Sequence, residues 1–125
     1  MSKKDIVLVD DQPTVCREVT AFLRDLHTVH AFTSGKEALE YMSGNPVDLI
    51  LLDYEMPGMT GYEVLMAIRL NKSIAKTPVI FLTGDTHDRM KQEMIGRGAD
   101  DYLCKPVSSH DLRQCIEKHL PSNSD

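Results

Sequence analysis

The sequence predicts an α/β domain in which a five-stranded parallel sheet is doubly wound, with five helices shared between its two faces. Three observations carry that prediction. Ile6-Val7-Leu8-Val9, Leu49-Ile50-Leu51-Leu52 and Val79-Ile80-Phe81-Leu82 are short unbroken apolar runs, as strands covered on both faces require. Segments with apolar residues at helical spacing follow them. Strand-like and helix-like stretches alternate along the chain without an internal repeat or a low-complexity stretch.

In chain order, the first apolar run is a central strand. Val15, Val19, Phe22, Leu23 and Leu26 then share one helix face, which packs on the sheet. Thr28 to Thr33 mixes His30 and two threonines with Val29, Ala31 and Phe32, and so belongs at a sheet edge. A second helix opens with a capping box, Ser34 with Glu37, and stops near Gly44 ahead of Pro46. After the central strand at Leu49, a third helix spans roughly Tyr62 to Asn71 and buries Val64, Leu65 and Ile68. The strand at Val79 precedes a weakly amphipathic fourth helix, about Thr86 to Ile95, anchored only by Met90, Met94 and Ile95. Asp100 to Cys104 forms a fifth, short strand. The last helix repeats the capping signal with Ser108 and Asp111 and stripes Leu112, Cys115, Ile116 and Leu120 along one side.

At 125 residues and 42% hydrophobic content the chain supports a single domain, residues 1–120, with residues 121–125 as a tail or the start of a linker. A formal net charge of -5 without a basic run argues against nucleic-acid binding. Met1-Ser2-Lys3-Lys4 leads into only a short apolar run, so neither a signal peptide nor a membrane span is expected, and a cytoplasmic location is. Cys16, Cys104 and Cys115 lack CxxC spacing and read as reduced, buried small hydrophobes rather than a disulfide frame or a zinc site. The five histidines are scattered singly and are expected to be solvated or satisfied rather than metal ligands.

Ligands of an open parallel sheet bind beyond the carboxyl ends of its strands. Asp10 and Asp11 end the first strand, Asp53 ends the third, Thr83 ends the fourth and Lys105 follows the fifth, so the polar residues gather at one rim. Three carboxylates there would repel unless a cation sat among them, and Mg²⁺ suits such an oxygen-rich set, with Mn²⁺ as an alternative. A carboxylate can attack phosphorus to form an acyl phosphate when nearby cations neutralise the transferring oxygens, and Asp53 is the best-placed nucleophile. Lys105 can bind that carboxylate or the phosphoryl oxygens, and Thr83 offers a hydroxyl donor. Gly84, directly after Thr83, reads equally as a turn residue or as an opening for the backbone to approach a phosphate.

Val9-Asp10-Asp11, Asp53-Tyr54-Glu55-Met56-Pro57-Gly58-Met59-Thr60-Gly61, Phe81-Leu82-Thr83-Gly84 and Gly98-Ala99-Asp100-Asp101-Tyr102-Leu103-Cys104-Lys105-Pro106 together resemble the response-regulator receiver domain of two-component signalling, over essentially the whole chain. The resemblance implies a flavodoxin-like sheet of strand order 2-1-3-4-5. It implies that Asp10, Asp11, Asp53 and the backbone carbonyl of Glu55 hold the metal, that Asp53 accepts the phosphoryl group, and that Lys105 and Thr83 bind it. A cis Lys105-Pro106 peptide, a switch made of Thr83 and Tyr102, and a changing surface of fourth helix, fifth strand and fifth helix are expected with it. Glu55 and Asp85 stand where side chains border the attacking water and are expected to modulate the lifetime of the phosphorylated state. The implied partners are a histidine kinase or phosphotransfer protein, a downstream target or fused output domain, and a second copy of the chain if phosphorylation drives dimerisation. The domain would be a switch rather than an enzyme, catalysing only its own phosphorylation and slow dephosphorylation. The alternatives are a haloacid-dehalogenase-like phosphatase, for which Asp10-Asp11-Gln12 lacks the Asp-x-Asp order, an FMN binder without the usual phosphate loop, and an unphosphorylated interaction module.

Overall fold

A computed structural model describes residues 3–84 and 87–120. Its elements alternate as β1 (Asp5–Val9), α1 (Pro13–Leu23), β2 (Thr28–Phe32), α2 (Gly35–Met42), β3 (Leu49–Asp53), α3 (Gly61–Leu70), β4 (Val79–Thr83), α4 (Asp88–Gly96), β5 (Asp101–Cys104) and α5 (Ser109–His119). All strands pair in parallel in the order β2-β1-β3-β4-β5. The three apolar runs therefore occupy the interior positions, and the threonine-rich strand lies at an edge as its composition predicts.

Alternation along the strands divides the core in two. Val7, Val9, Ile50, Leu52, Val79 and Phe81 face α2, α3 and α4, where they meet Ala38, Val64, Leu65, Ile68 and Met94. Ile6, Leu8, Leu49, Leu51, Ile80 and Leu82 face α1 and α5, against Val19, Leu23, Leu112 and Ile116. Each fully buried aliphatic side chain contributes about 1.5–3 kcal/mol relative to exposure, so both faces hold the strand register.

Local signals set the helix starts. The Ser34 hydroxyl accepts from the Glu37 amide at 3.2 Å and the Ser108 hydroxyl from the Asp111 amide at 3.1 Å. A complete capping box stands at α3, where the Thr60 hydroxyl accepts from the Glu63 amide at 3.2 Å and the Thr60 amide donates to Glu63 Oε1 at 2.9 Å. Three expectations need correction. Leu26 lies beyond the end of α1 and is exposed, because the helix stops at Leu23 in a turn that leads into β2. Cys104 is only half-buried on the short β5, unlike Cys16 and Cys115. Ile95 is exposed at the end of α4, leaving Met94 as the buried anchor of that helix and Met90 packed at the margin of the core. Thr86, the expected start of α4, and residues 121–125, the expected tail, lie outside the described residues.

Candidate functional site

Asp10, directly after β1, and Asp53, the last residue of β3, belong to neighbouring strands and so deliver their carboxylates to one rim. Both are buried, and with Asp11 they offer carboxylate oxygens that all lie within 4.8 Å of one another. The Asp10 backbone is tied to β2 by its amide, 3.0 Å from the Phe32 carbonyl. Its carboxylate accepts the Gln12 amide at 2.9 Å, which turns the chain into α1. Asp53 is held from the other side. A Cβ at Gly61 would collide with the Asp53 carbonyl oxygen, so only glycine lets α3 begin this close to the strand.

Lys105 enters from beyond β5. Its amide donates to the Thr83 carbonyl at 2.7 Å, and its Nζ stands 2.9 Å from Asp10 Oδ2 and 3.3 Å from Asp53 Oδ1. The following Lys105-Pro106 peptide is cis. The Glu55 amide donates to Asp53 Oδ1 at 3.2 Å. Burial, and then the charge of Asp10, push the Asp53 carboxyl up to about 7, although Lys105 and the Glu55 amide pull against them. Burial works against the Lys105 ammonium, but its hydrogen bond and charge pairing with Asp10, and the charge of Asp53, outweigh that and raise its pKa.

These residues fit a divalent cation. Asp10 Oδ2 is buried without a well-aligned hydrogen bond and meets only the Lys105 ammonium among the described residues. One ammonium among three carboxylates leaves the pocket short of positive charge, and every donor atom is a hard oxygen.

Thr83 is buried at the end of β4, and its hydroxyl donates to Glu55 Oε1 at 3.1 Å; the Gly84 amide donates to the same oxygen at 3.0 Å. Glu55 thus reaches back from the loop after β3 to cap the end of β4, a cross-strand contact with no signature in the linear sequence. A Cβ on Gly84 would lie at an ordinary 3.8 Å from Glu55, so crowding does not explain that glycine. Tyr102 stands on β5, outside the acidic pocket, half-buried against the core with Lys91 Nζ of α4 5.3 Å from its ring centroid. Asp85 lies outside the described residues.

The family profile for the response regulator receiver domain matches residues 6–117. The chain belongs to this family. A protein of Vibrio cholerae serotype O1 named probable cyclic di-GMP phosphodiesterase is 40% identical over 120 residues, which are 96% of this chain and 27% of that protein. The chain therefore spans about a quarter of that relative. Among solved structures, the chemotaxis protein CheY4 of Vibrio cholerae superposes with a TM-score of 0.90 at 31% identity, covering 95% of this chain and 100% of that one. The receiver domain of sensor histidine kinase PA1611 from Pseudomonas aeruginosa PAO1, solved with a magnesium ion coordinated in its active-site cleft, gives a TM-score of 0.87 at 27% identity, with 97% and 100% covered. The fold is thus flavodoxin-like, with the strand order that the resemblance implies. Receiver domains are signalling switches, and the family does not favour the phosphatase alternative. Among the described residues no helix is long and apolar enough to cross a membrane.

Proposed function

We propose that this receiver domain accepts a phosphoryl group on Asp53 from a histidine kinase or phosphotransfer protein, in a Mg²⁺-dependent reaction in the cytoplasm, and so switches a downstream partner or fused output domain. One observation carries the reading: a buried strand-end carboxylate, flanked by two more, stands 3.3 Å from the Lys105 ammonium. Bound by Asp10, Asp11, Asp53 and the backbone carbonyl of Glu55, Mg²⁺ would supply the positive charge that the pocket lacks and favour the ionised form of Asp53. Support reaches Mg²⁺ and not Mn²⁺, because the structural relative reported above carries magnesium.

In this reading a carboxylate oxygen of Asp53 attacks the phosphorus of phosphohistidine; the new P–O bond forms as the P–N bond breaks, and the electron pair leaves with the imidazole. Asp10 and Asp53 hold Lys105 poised, so its ammonium meets the arriving phosphoryl oxygens without reorganising. Glu55 competes for the same donors. Its carboxylate occupies the Thr83 hydroxyl and Gly84 amide, which must be released before they can turn to the phosphoryl group. Movement of Thr83 would let Tyr102 reorient beside α4, whose sparse anchoring through Met94 suits a displaceable element. Asp85 is assigned, with Glu55, to setting the lifetime of the phosphorylated state.

Incubation with Mg²⁺ and a small phosphodonor, followed by intact-mass analysis, tests the assignment. One added phosphoryl group on wild type, none on Asp53→Ala and none with excess chelator is the expected result; equal labelling of wild type and Asp53→Ala would remove Asp53 from its role.

A further inference from the structure

A second cluster of metal-ligating side chains lies at the other end of β5. Asp101 begins that strand, about 13 Å along the backbone from Lys105 at the usual strand rise. Its Oδ2 is 2.8 Å from His119 Nε2 and 3.5 Å from Cys115 Sγ. Cys115 and His119 are four residues apart on α5 and so project from the same helix face toward the strand. All three donor atoms lie within 4.8 Å of one another, Cys115 buried and the other two half-buried. The mechanism proposed above uses none of them.

We infer that Asp101, Cys115 and His119 form a three-ligand site for Zn²⁺, independent of the phosphorylation pocket. The donor set is one oxygen, one sulfur and one nitrogen, the mixture that zinc accepts and magnesium does not. The spacing fits as well. Tetrahedral zinc with bonds of about 2.0 Å to nitrogen and oxygen and 2.3 Å to sulfur needs edges of about 3.5 Å between sulfur and oxygen and about 3.3 Å between nitrogen and oxygen. The first edge is already present, and the second needs the His119–Asp101 hydrogen bond to open by about half an ångström. Water would complete the tetrahedron.

Two features of the surroundings oppose an ion and must yield to it. Burial, followed by the charge of Asp101, pushes the Cys115 thiol up to about 12, so the metal-free protein holds the proton, and an arriving cation displaces it to solvent. The rival cation is Lys118, whose Nζ lies 3.9 Å from Asp101 Oδ2 and whose side chain, 72% exposed, is free to withdraw. An ion here would fasten the last turn of α5 to the start of β5, an edge strand held on one side only by β4.

Cobalt(II) as a spectroscopic stand-in, followed by Zn²⁺ in competition with a chromophoric chelator, tests the site on the full chain. A background of Asp10→Asn with Asp53→Asn removes the acidic pocket as a competitor. One equivalent of Co²⁺ with a thiolate-to-metal charge-transfer band, retained in that background and lost in Cys115→Ser, is the expected result. His119→Gln, at a ligand less buried than Cys115, should weaken Zn²⁺ binding roughly tenfold or more while the far-ultraviolet spectrum stays native. Absence of the charge-transfer band, equal Zn²⁺ affinity in wild type and His119→Gln, or binding abolished by the background substitutions would each overturn the site.

Discussion

Asp53, buried, and Asp101, half-buried, are both carboxylates at the ends of parallel strands, yet their proton affinities move in opposite directions. Burial raises Asp53, and Asp10 adds a second negative charge that raises it further. Burial also acts to raise Asp101, but hydrogen bonds from His119, the Tyr102 amide and Cys115 reverse it and leave the group below its ordinary value. The comparison shows that burial alone does not set the state of a strand-end acid; the neighbours decide. In the metal-free chain Asp101 is held ionised by hydrogen-bond donors of the chain itself, whereas the donors around Asp53 do not offset its burial and its acidic neighbour.

The largest effect is expected where Lys105, the cation that meets the acidic pocket among the described residues, is removed. Lys105→Ala should slow phosphoryl labelling on the order of 10²–10³-fold, the usual cost of losing one preorganised donor to a developing oxyanion. Labelling rates at saturating Mg²⁺ and phosphodonor read it out.

Next comes the stability of the metal-free protein. An acid whose folded pKa is raised to about 7 from 3.8 gives its stabilisation below the unfolded value and loses it as pH climbs through the folded one. Asp53→Asn mimics the protonated form, so it should stabilise the chelated protein by on the order of 2 kcal/mol at pH 8 and by almost nothing at pH 4. Urea melts at both pH values check it. Mg²⁺ should narrow the gap at pH 8.

Asp101 gives the opposite slope. Because its folded pKa is lowered, its contribution is present above about pH 4 and lost as pH falls through the folded value. His119→Ala should therefore cost about 1–2 kcal/mol at pH 7, the value of a hydrogen bond to a charged group, and little below pH 3. The same melts would show whether the two acids diverge as described.

The smallest effect concerns Glu55. Freeing the Thr83 hydroxyl and Gly84 amide from its carboxylate should speed phosphorylation by Glu55→Ala about fivefold, equivalent to roughly 1 kcal/mol of hydrogen bonding no longer broken. An unchanged rate would mean that Glu55 does not restrain these donors.

Much of the scaffold was legible because it rests on local pattern. The three apolar runs read as interior strands, and Ser34, Ser108 and the stripe Leu112, Cys115, Ile116 marked their helices from spacing alone. Leu26 continued the periodicity of α1 but fell beyond its end, since periodicity does not mark where a helix stops. The capping box of Thr60 and Glu63 had a readable signature, but it straddles the end of the stretch from Asp53 to Gly61, with Glu63 two residues beyond it. The acidic pocket was legible too, because strand ends share a rim and Asp10, Asp11, Asp53 and Lys105 each follow an apolar run or a short strand. Contacts between distant segments were not. Glu55 meets Thr83 across 28 positions, and Asp101 reaches His119 from another element. A signal existed for the second cluster: Cys115 and His119 stand four apart on a helical stripe, a spacing lost when each histidine is weighed singly.

Calorimetric titration of Mg²⁺ into the wild type, Asp10→Asn and Asp53→Asn proteins at neutral pH tests most directly whether the acidic pocket is short of one cation. The account predicts a single Mg²⁺ bound by wild type and binding at least tenfold weaker in each variant. Undiminished affinity in Asp10→Asn and Asp53→Asn would contradict it, since the ion would then be held somewhere else.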